Sequence, residues 1–176
     1  NFGFDVEFSY DGNTLVVGAY GGTGSPYVEV YNWDLNSSTW NQVGQMIEPI
    51  AYGSIPNGSG GFWPSSEWCE FGYSVSINSD GSVIAIGSPH YRSSVGPYAG
   101  IVVIYEINPC GDWVMTGQYI DAQASGDNFG YSVSLNANGV LYPSISPVVV
   151  SSFNSFLRIW RMNSLSFFLN CSSIVS

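Results

Sequence analysis

Phe71–Gly87 reads FGYSVSINSDGSVIAIG, and the reading of the whole chain follows from it. Tyr73, Val75 and Ile77 alternate with Ser74 and Ser76. Successive side chains of a strand point to opposite faces, so this alternation predicts a strand with one apolar face. Asp80-Gly81 comes next. Such a pair between apolar runs predicts a tight hairpin, because a type I′ turn needs positive φ at both central residues. Beyond it, Val83-Ile84-Ala85-Ile86-Gly87 is a short, nearly continuous apolar run, the pattern of a strand covered on both faces.

The hairpin recurs twice. Phe2–Gly18 reads FGFDVEFSYDGNTLVVG and Phe129–Gly139 reads FGYSVSLNANG. Each copy opens on Phe-Gly (Phe2-Gly3, Phe71-Gly72, Phe129-Gly130), and nine residues after the Phe stands the turn pair Asp11-Gly12, Asp80-Gly81 or Asn138-Gly139. The first two copies match further. Tyr27–Tyr31 corresponds to Ile101–Tyr105, Trp40 and Trp113 each open a fourth strand, and Gly44-Gln45-Met46-Ile47-Glu48 corresponds to Gly117-Gln118-Tyr119-Ile120-Asp121. The copies start 69 and 58 residues apart. Four short strands joined by turns predict one small antiparallel sheet per copy, and such a sheet cannot bury both faces alone. Stacking like sheets radially solves this. The expected fold is all-β, with consecutive four-stranded antiparallel blades of a partial β-propeller. The expected division is a blade-like repeat over 1–48, an inserted loop over 49–70, a second repeat over 71–128 and a degenerate or truncated third over 129–176.

The Phe-Gly opening, the Asp-Gly turn and IAIGSP at Ile84–Pro89 together resemble the FG-GAP repeat, with the GAP element as Gly18-Ala19-Tyr20 and Gly87-Ser88-Pro89. The resemblance covers residues 1–128. It implies the propeller found in integrin α subunits and in many extracellular proteins. The function it implies is a non-catalytic recognition or adhesion module, extracellular or at the cell surface, binding a protein or glycan through its loops. Two other classes stay open: part of a propeller-fold hydrolase or lyase whose active site lies elsewhere, and a structural cell-surface component. Some blades of the family hold calcium, a hard cation that wants several carboxylates. The turns here read Ser9-Tyr10-Asp11-Gly12, Asn78-Ser79-Asp80-Gly81 and Asn136-Ala137-Asn138-Gly139, each with at most one. The calcium ligands are therefore not carried over, and no cofactor is expected. Three units do not close a ring of four to eight blades. The expected partners thus include further blades of a parent chain, or other copies of this one.

Composition narrows the partners. Asp plus Glu number 13 against 3 basic residues, a formal net charge of −10. No basic patch for phosphates can be built, which argues against nucleic acid and anionic membranes. No run is long and apolar enough to span a bilayer. Cys69, Cys110 and Cys171 are an odd, scattered set. Either Cys69 bridges to Cys110 or all three are thiols. Asn36, Asn57 and Asn170 stand in Asn-X-Ser triplets, and Asn57, in a Gly/Ser-rich setting, is the preferred glycan acceptor if the protein is secreted.

Three places carry candidate function. Where its siblings have Ser74 and Ser76 or Ser132 and Ser134, the first repeat has Asp5 and Glu7. These lie on one strand face, to bind a cation or polar ligand, or to face solvent or an absent neighbouring sheet. The insertion 49–70 carries Phe62, Trp63 and Trp68 among Gly, Pro and Ser, a composition expected of a recognition loop, or of aromatics folded back between sheets. The loop Ser88–Gly100 holds the only histidine, His90, with Tyr91, Arg92 and Tyr98. A lone histidine makes a poor metal site and no triad is arranged around it, so an exposed loop position is expected. No catalytic or metal residue is expected; the candidate contact residues are Phe62, Trp63, Trp68, His90, Tyr91 and Arg92. After Asn138-Gly139 the pattern gives way to Leu141–Pro147 with Pro143 and Pro147, poor residues for a central strand. Phe156–Trp160 is the candidate third strand there, and this tail is expected to be the least ordered part.

Overall fold

Alternation and turn chemistry produce the predicted hairpin strands in the first two units. The structure, a computed structural model, describes residues 1–20, 25–49, 55–56, 62–63, 69–93 and 95–139, all within the unit Asn1–Ser146. The first antiparallel sheet runs β1 (Phe2–Phe8), β2 (Thr14–Ala19), β3 (Tyr27–Asp34), β4 (Thr39–Gln42), in that spatial order. Next, β5 (Ile55–Pro56) pairs with β6 (Phe62–Trp63). A second antiparallel sheet follows: β7 (Ser74–Ile77), β8 (Val83–Ser88), β9 (Ile101–Ile107) and β10 (Trp113–Met115) lie in sequence order, and β11 (Ile120–Asp121) also pairs with β9. Among the described residues there is no helix. The described residues are all-β, with antiparallel sheets of four and five strands beside the two-stranded β5–β6 ladder.

The hairpins form at the predicted pairs, but not as type I′ turns: only the glycine is left-handed, with φ of +71°, +75° and +78° at Gly12, Gly81 and Gly139, while Asp11, Asp80 and Asn138 keep negative φ. Each glycine N–H closes a turn onto the carbonyl three residues back, Ser9, Asn78 or Asn136. The Asp11 carboxylate accepts from Ser9 Oγ at 2.7 Å and from Asn13 N at 3.0 Å; Asp80 accepts from Ser82 N at 3.0 Å. These bonds hold both carboxyls below the usual aspartate value, the serine hydroxyl being the largest cause in each.

Pairing places alternate residues on opposite faces. On the second sheet Val75, Ile77, Ile84, Ile86, Ile101, Val103, Tyr105 and Trp113 share a face. That face packs on Val16, Val28, Val30 and Ile47 of the first unit to make the main core. On the reverse side, Ala85 and Val102 pack with Val133, flanked by Ile104, Phe129 and Leu135.

The three units meet through equivalent contacts. Tyr10 N donates to Ser79 O at 3.2 Å, and Ser79 N donates to Ala137 O at 3.3 Å. Rings at matching positions form a column: Phe4 to Tyr73 at 5.0 Å, Tyr73 to Tyr131 at 4.8 Å. Glu7 Oε2 accepts from Ile77 N at 2.8 Å, and at the matching position Ser76 Oγ accepts from Leu135 N at 2.9 Å. Gly18 and Gly87 are glycine for a steric reason. A Cβ on Gly18 would lie 2.2 Å from Gly72 O, and one on Gly87 would lie 2.1 Å from Gly130 O. No side chain fits where one sheet meets the Phe-Gly of the next unit.

Several expectations change here. Asp5 and Glu7 face neither solvent nor an absent sheet. Asp5 Oδ2 accepts from Val75 N at 2.8 Å, as Glu7 does from Ile77 N, because the outer edge of β7 has no strand beside it and presents its N–H groups. The insertion 49–70, expected as a loop, contains the β5–β6 ladder. The third unit keeps its turn, with Gly139 N donating to Asn136 O at 2.9 Å, but residues 129–139 carry isolated bridge positions rather than a continuous strand. Cys69 is a buried thiol, its pKa pushed up by burial, and Cys110 is disulfide-bonded, so neither the Cys69–Cys110 bridge nor the set of three thiols holds. Asn36 is exposed in the β3–β4 turn. Asn57, Asn170 and the readings made for 140–176 lie outside the described residues.

Candidate functional site

Antiparallel strands sort the connections to two ends. The tight turns at 9–12, 34–39, 78–81, 108–112 and 136–139 lie at one end. The ends of the insertion 49–70, the loop 88–100 and the connection 122–128 lie at the other. Two of the sequence candidates are thereby brought together at their roots. Ser88 Oγ donates to the Cys69 carbonyl. One residue on, Glu70 Oε2 sits 3.0 Å from His90 Nδ1.

The 88–100 loop is built as a short internal ladder. Tyr91 N donates to Ser88 O at 3.2 Å, Gly100 N to Tyr91 O at 3.0 Å, and Ser93 and Gly96 exchange bonds of 3.2 Å each way. Its returning limb is pinned by the third junction: Asn128 N donates to Tyr98 O at 2.9 Å, Gly126 N to Pro97 O at 3.1 Å and Ser125 Oγ to Pro97 O at 2.9 Å. The loop is thus held from both sides by the segments that precede β7 and unit three.

On this frame stand Glu70, His90 and Tyr98. The His90 and Tyr98 rings meet edge to face, 5.1 Å between centroids. Tyr98 is exposed, and the His90 side chain is 38% exposed against 21% for Glu70. Desolvation raises the Glu70 carboxyl above its ordinary value, with the His90 contact opposing it. Glu70 and Tyr98 both hold positive φ, +51° and +53°, a conformation that non-glycine residues adopt at a cost of order 1 kcal/mol or more. Asn128 shares this geometry (φ +52°) at the position equivalent to Glu70, and Tyr73 N and Tyr131 N close the same turn onto Glu70 O and Asn128 O, at 3.0 and 3.1 Å. The turn therefore belongs to the repeat, whereas the carboxylate set in it does not.

His90 was expected simply exposed; it is a partly exposed imidazole paired with Glu70. Tyr91 leaves the contact surface: it is 3% exposed and packs in the core, near Tyr119. Arg92 is partly exposed. Phe62 and Trp63 form β6, and Trp68 lies outside the described residues. Glu70 is the site residue that sequence reading passed over; Tyr98 was noted in the loop but not placed among the contact residues. The available signal was a Glu where the sibling repeats have Asn1 and Asn128.

Chemically, the cluster offers a carboxylate-backed imidazole, a phenol and aromatic faces, suited to hydrogen bonding and stacking on a polar ligand. Among the described residues no three His, Cys, Asp or Glu side chains gather as a metal-binding group. Neither a family model nor a curated protein matches this chain.

Proposed function

We propose that this chain supplies consecutive blades of an FG-GAP-like β-propeller and serves as a non-catalytic recognition module at the cell surface. It binds a protein or glycan through the end of the sheets where the insertion 49–70 and the loop 88–100 converge. The repeated contacts between units support the blade reading, since each sheet meets the next in one register. The recognition reading rests above all on one observation: the loop bearing His90 and Tyr98 is anchored on both flanks, and presents polar and aromatic groups from a rigid base. A preorganised loop loses less entropy on binding than a free one. The hydroxyl-rich, acidic surface suits a neutral glycan or a protein better than a polyanion.

The test is binding of the chain to a panel of immobilised neutral oligosaccharides and extracellular-matrix proteins. His90→Ala and Tyr98→Ala, and separately Trp63→Ala with Trp68→Ala, are expected to weaken the captured interaction at least about tenfold, as truncation of anchor residues does. Binding untouched by all four substitutions sinks the assignment to this end. Turnover of a polysaccharide, lost in His90→Ala, replaces recognition with catalysis.

A further inference from the structure

We propose that Glu70 fixes His90 as a hydrogen-bond acceptor, and that the loop-end site thereby selects a neutral, hydroxyl-bearing glycan over carboxylated or sulfated ones. The inference deepens the recognition reading above and rests on it.

What each atom of the pair can donate sets the state of the ring. Glu70 Oε2 is buried, and among the described residues no donor but His90 reaches it. A buried carboxylate oxygen needs a donor. His90 Nδ1 lies 3.0 Å away, at hydrogen-bonding distance. Two lone pairs facing at that separation repel, so the proton of the neutral imidazole belongs on Nδ1. A neutral imidazole carries only one N–H, which leaves Nε2 bare, as an acceptor.

The turn itself does not require this carboxylate. Asn128 holds the equivalent position with φ +52° against +51° at Glu70, and its side-chain amide donates to Gly126 O at 3.0 Å. Asparagine tolerates this left-handed geometry better than glutamate does. Glutamate brings the reach to meet His90, and that contact opposes the burial that raises its carboxyl. Glu70 is therefore a positioning residue, acting on a ligand through His90.

The bare nitrogen sorts ligands by their chemistry. A hydroxyl donates to it. A carboxylate or sulfate offers acceptors only, sets lone pair against lone pair, and meets the Glu70 charge behind the ring. Tyr98, 57% exposed and 5.1 Å from His90 between ring centroids, adds an aromatic surface for the apolar face of a sugar ring. A folded protein partner has spent most of its backbone N–H groups in secondary structure, whereas every sugar unit presents hydroxyls. The net charge of −10 also disfavours polyanions.

His90 is the only histidine, so heteronuclear NMR of the full chain reads its ring nitrogens without ambiguity. At about pH 8, above the ordinary imidazole range, the wild type is expected in the Nδ1–H form. Affinity is measured on the same samples for neutral hexose oligosaccharides and for oligouronates of the same linkage. The neutral sugar is expected to bind at least about tenfold tighter, since an acceptor facing an acceptor forfeits the bond and leaves both unpaired. Glu70→Asn keeps the turn and loses the reach. It is expected to release the Nε2–H form and to cut the preference to about threefold or less. Glu70→Gln removes the charge and keeps the reach, so it separates charge from tautomer: the preference is expected to persist as far as the Nδ1–H form persists. Near-ultraviolet circular dichroism checks folding, and the wild-type tautomer and preference test the inference even if Glu70→Asn misfolds. A wild type in the Nε2–H form overturns the inference and leaves the recognition reading standing. The same holds for an oligouronate bound as tightly as its neutral counterpart, for a variant that changes tautomer but keeps the preference, and for capture of a matrix protein with no sugar bound. A chain that binds nothing on the panel overturns the recognition reading, and this inference with it.

Discussion

Gly18→Ala is a sharp probe of how the sheets are held together. The added methyl would sit 2.2 Å from Gly72 O, where an unstrained C···O approach is about 3.3 Å. Relief requires the second unit to retreat by roughly 1 Å. A retreat of that size stretches the bonds from Val75 N to Asp5 and Ile77 N to Glu7, both 2.8 Å, to about 3.8 Å, beyond hydrogen-bonding range. Two bonds to charged acceptors, at the low end of about 1.5–3 kcal/mol each for partly exposed groups, amount to about 3 kcal/mol. Keeping the bonds and accepting the overlap costs a similar amount, about 1–3 kcal/mol or more. These are alternative routes and are not summed, so the expected loss is about 3 kcal/mol. With a urea slope of about 2 kcal/mol/M, the unfolding midpoint falls by about 1.5 M. Gly111→Ala is the control: its φ of +88° strains any side chain but nothing lies within 4 Å, so it costs only about 1 kcal/mol. A Gly18→Ala midpoint no lower than that of Gly111→Ala refutes the steric argument. Glu7→Ala refines it. If the retreat breaks the Ile77 bond, Glu7→Ala costs much less in the Gly18→Ala background than in wild type, a coupling of about 1 kcal/mol or more; strict additivity means the sheets do not separate.

Three further outcomes follow from the same geometry. Trp113, 3% exposed, donates its ring N–H to Val43 O at 3.0 Å, so Trp113→Phe is expected to cost about 2 kcal/mol through the orphaned carbonyl and lost packing, whereas Trp40→Phe, at the equivalent exposed position, changes the urea midpoint little. The carboxyls of Asp11, Asp34 and Asp80 are depressed by their turn hydrogen bonds; the stability they contribute is present above the unfolded value near 3.8 and is lost as pH falls through the lower folded values, so Asp11→Asn with Asp80→Asn should flatten the pH dependence of unfolding below about pH 4. The Cys69 thiol, 5% exposed with its pKa raised by burial, should react with a thiol reagent only as fast as the protein opens, its rate rising in Gly18→Ala.

Much of the architecture was legible because it depends on local rules. Period-two alternation at 73–77, the Asp-Gly and Asn-Gly turns and the Trp at the fourth strand each act over a few residues, and the sheets followed them. The insertion was harder: β5 and β6 are two residues each, too short for periodicity to register. The role of Asp5 and Glu7 stayed open between a ligand, solvent and an absent sheet because the donors they accept from, the N–H groups of Val75 and Ile77, are backbone atoms 70 residues away that carry no side-chain signature. Tyr91 looked like a contact residue beside His90, but the turn after Ser88 sends adjacent side chains to opposite sides, one into the core and one outward.

The amino-acid sequence by itself determined the repeat, the hairpins, the acidity that disfavours nucleic acid and the glycine pattern, since each is set by residue type and near-neighbour geometry. The tertiary structure alone decided which faces are covered, why Gly18 and Gly87 are glycine, what Asp5 and Glu7 hold and that Glu70 meets His90. Those outcomes depend on close approach between segments far apart in the chain, at distances that no local pattern encodes.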